Sequence, residues 1–173
     1  MEPNRGARSV GIVTVGFDEF WLEHRVRVAA AVAVSIGDRD LAADAVDEAM
    51  ARAYQRWSTV GRLEFPAGWV YRVALNWSRS VHRRRRRTPP GWLTSDGAAN
   101  DQPPMEPAVT TALAALPSAQ RDVVVCRLLL GWSEAATAAA LKTRPGTVKS
   151  RLSRAVDTLA TQLDHLNPKE THR

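Results

Sequence analysis

The sequence predicts an all-α protein made of two small helical domains joined by a flexible linker, and three observations lead to that prediction. Apolar side chains recur at helical spacing in several separate segments. Glycine, proline or a capping side chain stands at the boundaries of these segments. Residues 88–107 break every periodicity, because they hold five of the ten prolines and three acidic residues but no basic one. With 173 residues, the chain is long enough for two small cores.

The linker sets the domain boundaries. We expect a first domain at 17–87 and a second at 108–165, with a flexible N-terminus at 1–16 and a short tail at 166–173. A linker of this composition behaves as an extended tether. At about 3.3 Å per residue it could span roughly 65 Å, so the two domains could lie far apart.

Two helices open the first domain. Apolar residues keep a helical period from its start until Gly37, which can end the first helix. Asp38 can cap a second helix that runs to about Trp57. The early surface of this helix is acidic, and the like charges of Asp44 and Glu48 one turn apart are mildly destabilising. A basic protein partner would relieve this repulsion, although an ordinary solvated face explains the pattern equally well.

A third helix is expected from Pro66 to about Arg86. Its apolar side consists of Pro66, Trp69, Val70, Val73, Trp77 and Val81. Its other side carries a narrow basic stripe of Arg72, Asn76, Arg79, Arg83 and Arg86. Stacked arginines repel one another by a few tenths of a kcal/mol per neighbouring pair, and no acidic residue nearby in the sequence compensates. A nucleic-acid strand along the stripe would compensate, and Asn76 could then read a base. The alternative is a basic tail favoured by the helix dipole.

The clearest pattern lies at 131–163, which predicts two helices with a short break. Gly131 and Ser133 can end one segment and cap the next, and the first helix, 135–141, consists mainly of small apolar residues. The second helix begins at Pro145. Its apolar side is formed by Val148, Leu152, Ala155, Val156, Leu159 and Leu163, and its basic side by Lys149, Ser150, Arg151 and Arg154. The pattern predicts a helix-turn-helix whose second helix enters a DNA major groove. An ordinary helical hairpin with solvated basic residues is the alternative.

Residues 108–130 are expected to brace this helix-turn-helix, with Ser118 as a helix cap and the apolar run Val123–Leu130 as core. Cys126 lies in that run and is most simply a small buried hydrophobe. It is the one cysteine of the chain, which excludes an internal disulfide and a zinc site built on paired cysteines.

Composition limits the classes of function. The net charge of +6 points to a polyanionic partner. The four histidines lack metal-ligand spacing, and no nucleophile–base pair, phosphate loop or carboxylate pair stands out. We therefore expect no metal, cofactor, catalytic residue or small-molecule substrate. No signal pattern or bilayer-length apolar run is present, which predicts a cytoplasmic protein. Membrane binding is disfavoured, because the arginines face away from the apolar sides.

Several of these segments resemble one known family. LPSAQRDVVVCRLLLGWS at 116–133 and PGTVKSRLSRA at 145–155 are similar to region 4 of the sigma-70 superfamily, and most of all to its extracytoplasmic-function (ECF) class. Residues 37–57 resemble region 2.2, and residues 66–87 resemble regions 2.3–2.4. The resemblance implies a region 2 helical bundle, a region 4 helix-turn-helix and a role in transcription initiation rather than catalysis.

The resemblance also implies three binding surfaces on this chain. An acidic surface would bind core RNA polymerase, at the clamp coiled coil of its β′ subunit, through Asp44, Asp47 and Glu48. A −10 surface would hold the melted promoter strand through Phe65, Arg72, Asn76, Arg79 and Arg83. A −35 surface would read duplex promoter DNA through Thr147, Lys149, Ser150, Arg151, Ser153 and Arg154. The β subunit of the polymerase is a further expected partner, and an anti-sigma factor is an expectation taken from the family.

The chain departs from the family pattern at several positions of these surfaces. The first helix of the helix-turn-helix has Ala135, Ala136 and Thr137 where two glutamates and a bulky aliphatic residue are usual. Lys142 stands where the family has a turn glycine. The family usually has a glutamine at the position of Asp47, an acidic residue at that of Ser80 and an aliphatic residue at that of Thr143 in the turn. The departures within the helix-turn-helix predict that its core is packed less tightly and that its affinity for the −35 element is modest.

A different class of function explains part of the sequence. A stand-alone helix-turn-helix regulator, which binds duplex DNA without polymerase, would account for residues 131–163. It would leave the arginine stripe, the acidic surface and the long linker without a use.

Overall fold

The computed structural model describes residues 16–87 and 106–164 and contains no strand among them, so the all-α prediction is confirmed. Its helices are α1 (Phe17–Ile36), α2 (Arg39–Gln55), α3 (Trp57–Val60), α4 (Pro66–Arg87), α5 (Pro107–Ala115), α6 (Ser118–Val124), α7 (Glu134–Leu141) and α8 (Pro145–Leu163). A π-helical segment, Val125–Leu129, continues α6. The predictions for 1–15, 88–105 and 165–173 lie outside the described residues.

The helix boundaries of the first domain follow local chemistry. Gly37 adopts a left-handed φ of 73° and ends α1 by donating its N–H to the carbonyl of Ala33. The Asp38 carboxylate caps α2 by accepting the Leu41 N–H at 2.9 Å. The second helix stops two residues before its predicted end, because Arg56 leaves the helical conformation with φ −120° and ψ 23°.

The core of the first domain forms where α1, α2 and α4 cross. A row of small residues on α2 allows the close approach of the other two helices: Ala42, Ala45, Ala49 and Ala53 are all fully buried. Val32, Val46 and Val70 fill the space between them. Each such fully buried valine contributes roughly 1.5–3 kcal/mol relative to an exposed one.

The buried side of α4 is wider than the predicted one. Of the six residues predicted on the apolar side, Val70 is fully buried, while the other five are only half-buried. The helix instead buries Ala67, Tyr71, Ala74, Leu75 and Ser78. The prediction counted one packing side, whereas α4 contacts the first domain on one side and the second domain on another.

The second domain contains the predicted helix-turn-helix. Ser133 caps α7 by accepting the Ala136 N–H at 3.0 Å, and Gly131 before it adopts a φ of 69°. Lys142 ends α7 with φ 50° and ψ 50°, a left-handed conformation that L-residues other than glycine rarely adopt. Val148 and Ala155 of α8 are completely buried.

Three details of the second domain differ from prediction. Helix α6 begins at Ser118, so Pro117 rather than Ser118 is its N-cap. The π-helical bond from the Leu130 N–H to the Val125 carbonyl (3.0 Å) shifts the helical register. Leu128 and Leu129 consequently face solvent, although they belong to the predicted core run. Val156, which was predicted on the apolar side of α8, is 44 % exposed.

The two domains lie directly against each other. Val125, Cys126 and Leu130 belong to the same hydrophobic cluster as the core of the first domain. The indole of Trp132 lies edge-on to the rings of Phe65 and Tyr71, with centroid distances of 4.6 and 5.5 Å. The linker would allow a wide separation, and the structure has the domains in contact instead.

Candidate nucleic-acid and polymerase interfaces

The −35 surface on α8 is open. Val148 and Ala155 anchor the opposite side of the helix, which leaves Lys149, Ser153 and Arg154 exposed. Thr147, Ser150 and Arg151 are half-buried beside them. Among the described residues, no carboxylate lies within ion-pair distance of the basic side chains of this surface. The charges of exposed Lys149 and Arg154 are therefore available to an anion from outside.

The amide end of α8 is also uncovered. Pro145 starts the helix without an N–H to satisfy, and Gly146 behind it is exposed. A Cβ placed on Gly146 would meet no atom within 4 Å. The positive end of the helix dipole therefore lies next to open space, where a DNA phosphate can approach it. Helix α8 presents a basic side and an open N-terminus together.

The −10 surface is divided between open and covered residues. Asn76 and Arg83 are exposed on α4. Phe65 packs against Trp132, and Arg72 donates from Nη1 to the carbonyl of Ala139 at 3.3 Å. These two residues therefore lie against the second domain, and Arg79 does so as well.

Arg79 forms an ion pair across the domain interface. Its Nη2 donates to Oδ2 of Asp122 at 2.6 Å, and the two side chains are 37 % and 7 % exposed. Burial raises the pKa of the Asp122 carboxyl, and the hydrogen bond from Arg79 only partly opposes that rise. Asp122 supplies the negative charge that the arginine stripe lacks nearby in the sequence, so the stripe is partly compensated within the chain.

A cleft of about 420 Å³ separates α4 from α7 beside Phe65. Gly68 is required there, because a Cβ on it would lie 2.4 Å from the Phe65 ring and 3.1 Å from the Ala140 Cβ. The first-domain wall is formed by Leu63, Glu64, Phe65, Trp69 and Arg72, and the facing wall by Ser133, Ala135, Ala136, Ala139 and Ala140.

Buried polar groups connect α1, α4 and the second domain. Ser35 and Tyr71 share a hydrogen bond of 2.7 Å between their hydroxyls, and both residues are buried. Desolvation raises the pKa of the Tyr71 hydroxyl. Burial also raises the pKa of the neighbouring Cys126 thiol to about 12. Such a thiol is almost entirely protonated at neutral pH, which agrees with its predicted role as a small buried hydrophobe.

The acidic surface on α2 is partly neutralised by its own chain. Asp47 accepts two hydrogen bonds from Arg25, at 2.8 and 2.9 Å, and Glu48 accepts one from Arg52 at 2.7 Å. These pairs relieve part of the predicted repulsion without a partner protein. Asp44 is exposed and forms no ion pair with any described residue. Of the three predicted polymerase contacts, Asp44 is thus the carboxylate with its full charge available.

The sequence-based prediction missed two residues at the domain interface, Asp122 and Trp132. Asp122 is the one acidic residue between Pro107 and Ser133 and directly precedes an apolar run. Because a charged group in such a run needs a partner, this position was a usable signal. Trp132 follows a turn glycine, and nothing local in the sequence indicates that it contacts Phe65.

Known proteins are similar to this chain in the helix-turn-helix domain, and full-length relatives are similar to most of the remaining chain as well. The model of the family described as sigma-70, region 4, matches residues 107–159. The ECF RNA polymerase sigma factor SigL of Mycobacterium tuberculosis is 34 % identical over 139 residues, which cover 75 % of this chain and 78 % of SigL. The ECF sigma factor SigM of the same organism is 30 % identical over 156 residues, covering 87 % and 79 %. The chain belongs to the ECF sigma factors.

This sigma factor is therefore a transcription initiation factor that directs RNA polymerase to promoters, and a stand-alone regulator is not favoured. Its fold is similar to that of the sigma factor RpoE in its complex with the anti-sigma factor NepR from Bartonella quintana. The TM-score is 0.71 at 22 % identity, over 86 % of this chain and 96 % of RpoE. Among the helices that the structure describes, none combines the length and the apolar content needed to cross a membrane.

Proposed function

We propose that this sigma factor binds core RNA polymerase and promoter DNA through its three surfaces. Residues 17–87 would bind the polymerase and the −10 element, residues 108–165 would bind the −35 element, and residues 88–107 would link them. The observation that carries the proposal is the open basic side of α8, whose Lys149 and Arg154 have no acidic partner among the described residues. We further propose that the chain has no catalytic activity of its own and acts in the cytoplasm.

At the −35 element, α8 would lie in the major groove. Exposed Lys149 and Arg154 can donate to base edges or phosphates, whereas Thr147 and the uncovered amide end of the helix suit a phosphate. Ser150, Arg151 and Ser153 would complete the contact. Phosphate contacts fix the position of the helix, and base contacts supply the discrimination between sequences.

At the −10 element, α4 would hold a separated strand. Unstacking a base costs a few kcal/mol, and no covalent chemistry is required to offset it. Phe65 offers a ring on which a base can stack, exposed Asn76 can bond a base edge, and Arg72, Arg79 and Arg83 can neutralise phosphates. Together with the contacts to polymerase, these interactions would favour the melted promoter.

The acidic surface would bind the β′ clamp coiled coil of the polymerase, and further contacts would involve the β subunit. Asp44 carries an exposed and unpaired carboxylate, so we assign it the largest electrostatic share. An anti-sigma factor is a further proposed partner, since the fold relative from Bartonella quintana was solved in complex with one.

The direct test is initiation by a reconstituted holoenzyme. Purified chain is added to core polymerase, and transcripts from genomic fragments of the source organism are mapped. We expect initiation at a limited set of positions, with none from core polymerase alone. Binding of the chain to duplex DNA without any initiation would contradict the proposal and support a stand-alone regulator.

The polymerase contact is tested by the substitution Asp44→Arg. We expect affinity for core polymerase to fall about tenfold, equivalent to roughly 1.4 kcal/mol, while −35 duplex binding is retained. Glu19→Arg makes the same charge change at an exposed position of α1 and serves as the control. Equal affinities of both variants for core polymerase would remove Asp44 from the interface.

A further inference from the structure

The first domain has a second cavity, of about 360 Å³, between the end of α2 and the outer side of α4. Its polar and apolar walls come from these two helices alone: Glu48, Arg52, Gln55, Arg56, Trp69 and Val73. Trp69 also lines the cleft beside Phe65, so this residue separates the two cavities. The proposed function leaves the cavity at Arg56 without an occupant.

The outer side of α4 leads directly to this cavity. Steps of four, three, four and three residues place one row along the helix: Trp69, Val73, Asn76, Ser80 and Arg83. Asn76 and Arg83 are exposed, and the other three residues are half-buried. A strand that contacts Arg83 and Asn76 and continues toward the start of α4 therefore arrives at Val73 and Trp69.

The cavity carries a positive charge that is not neutralised within the described parts of the chain. Nε of Arg52 donates to Glu48 at 2.7 Å, so these two charges largely cancel. Arg56 is exposed, and its guanidinium forms no ion pair with any residue that the structure describes. The dipole of α2 favours a cation at this end of the helix. The dipole gives no reason, however, for the half-exposed indole of Trp69 beside that cation.

An indole beside a free guanidinium matches the two parts of a single-stranded nucleotide. A base that has left the duplex can stack on an aromatic side chain, and its phosphate can accept hydrogen bonds from arginine. Duplex DNA would offer phosphate alone, because its bases stay stacked on one another. A polymerase surface that pairs with the Asp44 carboxylate would be basic, and Arg56 would repel it. The separated strand is therefore the occupant that fits best.

We propose that this cavity binds one further nucleotide of the separated promoter strand, with its base stacked on Trp69 and its phosphate bonded by Arg56. The inference rests on the proposed function, because it takes α4 to hold the −10 strand. It adds the end of α2 to the strand-binding surface and places Trp69 between two bases, one at Phe65 and one in the cavity. The contact tolerates any base, since every base has a face that can stack and every nucleotide has a phosphate.

The test uses holoenzyme reconstituted from core polymerase and the full chain. The probe is a fluorescent fork from a promoter mapped in the initiation assay, with duplex DNA upstream and a single-stranded −10 region. Fork affinity is measured by anisotropy at several salt concentrations. The affinity of each variant for core polymerase is measured first, so that core is saturated in every titration. Arg56→Glu is compared with Arg39→Glu, which makes the same charge change at an exposed position at the other end of α2.

We expect Arg56→Glu to weaken fork binding about fivefold, as for the loss of one exposed ion pair. The slope of log affinity against log salt should become shallower by about 0.7, which corresponds to one phosphate on a single strand. Arg39→Glu should change fork affinity less than about twofold, because a distant exposed charge is screened. Equal effects of the two substitutions would overturn the phosphate contact.

The stacking contact is tested by Trp69→Leu, with Trp69→Phe as the variant that keeps an aromatic ring. Trp69→Leu should weaken fork binding about tenfold, and Trp69→Phe less than about threefold. An abasic nucleotide placed at each position in turn should show one penalty that disappears in Trp69→Leu and persists in Phe65→Leu. Equal losses in the leucine and phenylalanine variants of Trp69 would overturn the stacking. If thermal unfolding shows that Trp69→Leu does not fold, the Arg56 comparison decides.

The remaining outcomes separate this site from its alternatives. If Arg56→Glu weakens binding to core polymerase but leaves fork binding by saturated holoenzyme unchanged, the cavity belongs to the polymerase interface and the nucleotide site is overturned. If Asn76→Ala weakens fork binding while the Arg56 and Trp69 variants do not, the proposed function stands and the further site fails. If none of these substitutions changes fork binding, the assignment of α4 to the −10 element fails, and the further site fails with it.

Discussion

The two basic helices of this sigma factor, α4 and α8, differ in what lies on their charged sides. The basic side of α8 faces open space at Lys149 and Arg154, which have no acidic partner among the described residues. The basic side of α4 is held in part by Asp122 and the Ala139 carbonyl. A stripe of arginines in a sequence thus gives no measure of how much charge is free, because the rest of the chain can supply the counter-charge.

The largest effect is expected from Trp132→Ala, which sharpens the contrast by removing the indole between Phe65 and Tyr71. Truncating a partly buried tryptophan should lower the free energy of unfolding by about 2–4 kcal/mol, and −10 strand binding should increase as Phe65 is uncovered. Urea unfolding measures the first and anisotropy the second. Trp21→Ala is the control, because Trp21 is 38 % exposed and its ring contacts Arg25 of the same helix. A loss of −35 duplex binding in Trp132→Ala would show that the basic sides of α4 and α8 do not bind DNA independently of each other.

Arg154→Ala tests the basic side of α8, on which Arg154 is exposed. If Arg154 contacts a base edge, discrimination between the −35 element and a scrambled duplex should fall by about 1–3 kcal/mol. The measurement is a duplex titration at fixed salt concentration, because phosphate contacts are salt-dependent. Arg83→Ala, on the exposed part of α4, should leave this discrimination unchanged. An equal loss on both duplexes would show that Arg154 contacts phosphate only.

Lys142→Gly tests the steric cost of the left-handed backbone conformation at Lys142, which ends α7. Lys142 has a φ of 50°, a left-handed conformation that glycine adopts without steric penalty. Part of the gain is lost to the greater freedom of glycine in the unfolded chain, so we expect a net stabilisation of about 0.5–1 kcal/mol. Thermal unfolding measures it. Lys142→Ala keeps the Cβ and should give no gain, so equal stabilisation by both variants would contradict the explanation.

The smallest effect, given as a direction only, is the pH dependence of stability that arises from the buried carboxyl of Asp122. Burial raises the pKa of Asp122 above its ordinary 3.8, against the opposing influence of Arg79, Arg121 and Arg151. The native state therefore holds this proton more tightly than the unfolded chain. The resulting stability is fully present below the unfolded pKa and is lost as the pH rises through the raised native pKa. Relative to Asp122→Asn, the unmodified chain should lose stability as the pH rises from below 3.8 through the raised native pKa. A relative gain would mean that the pairing with Arg79 outweighs desolvation.

Several residues with local causes were predicted from the sequence correctly, although the Ser118 cap was not. Gly37 and Asp38 mark a helix boundary because a left-handed φ favours glycine and a short carboxylate caps an amide end. The Ser133 cap and the Pro145 start frame the helix-turn-helix for the same kind of reason. Leu128 and Leu129 were assigned to the core incorrectly, because a π-helical step changes the register in a way that apolar content does not indicate.

The sequence by itself determined the four longest helices (α1, α2, α4 and α8), the helix-turn-helix and the basic side of α8, since these depend on side-chain spacing and on chemistry within a few residues. Only the tertiary structure decided which cations are free. The ion pair of Arg79 with Asp122 and the contact of Phe65 with Trp132 join residues that are far apart in the chain. Such pairs arise when two domains bury a shared surface, and that packing depends on the shapes of both domains rather than on any local pattern.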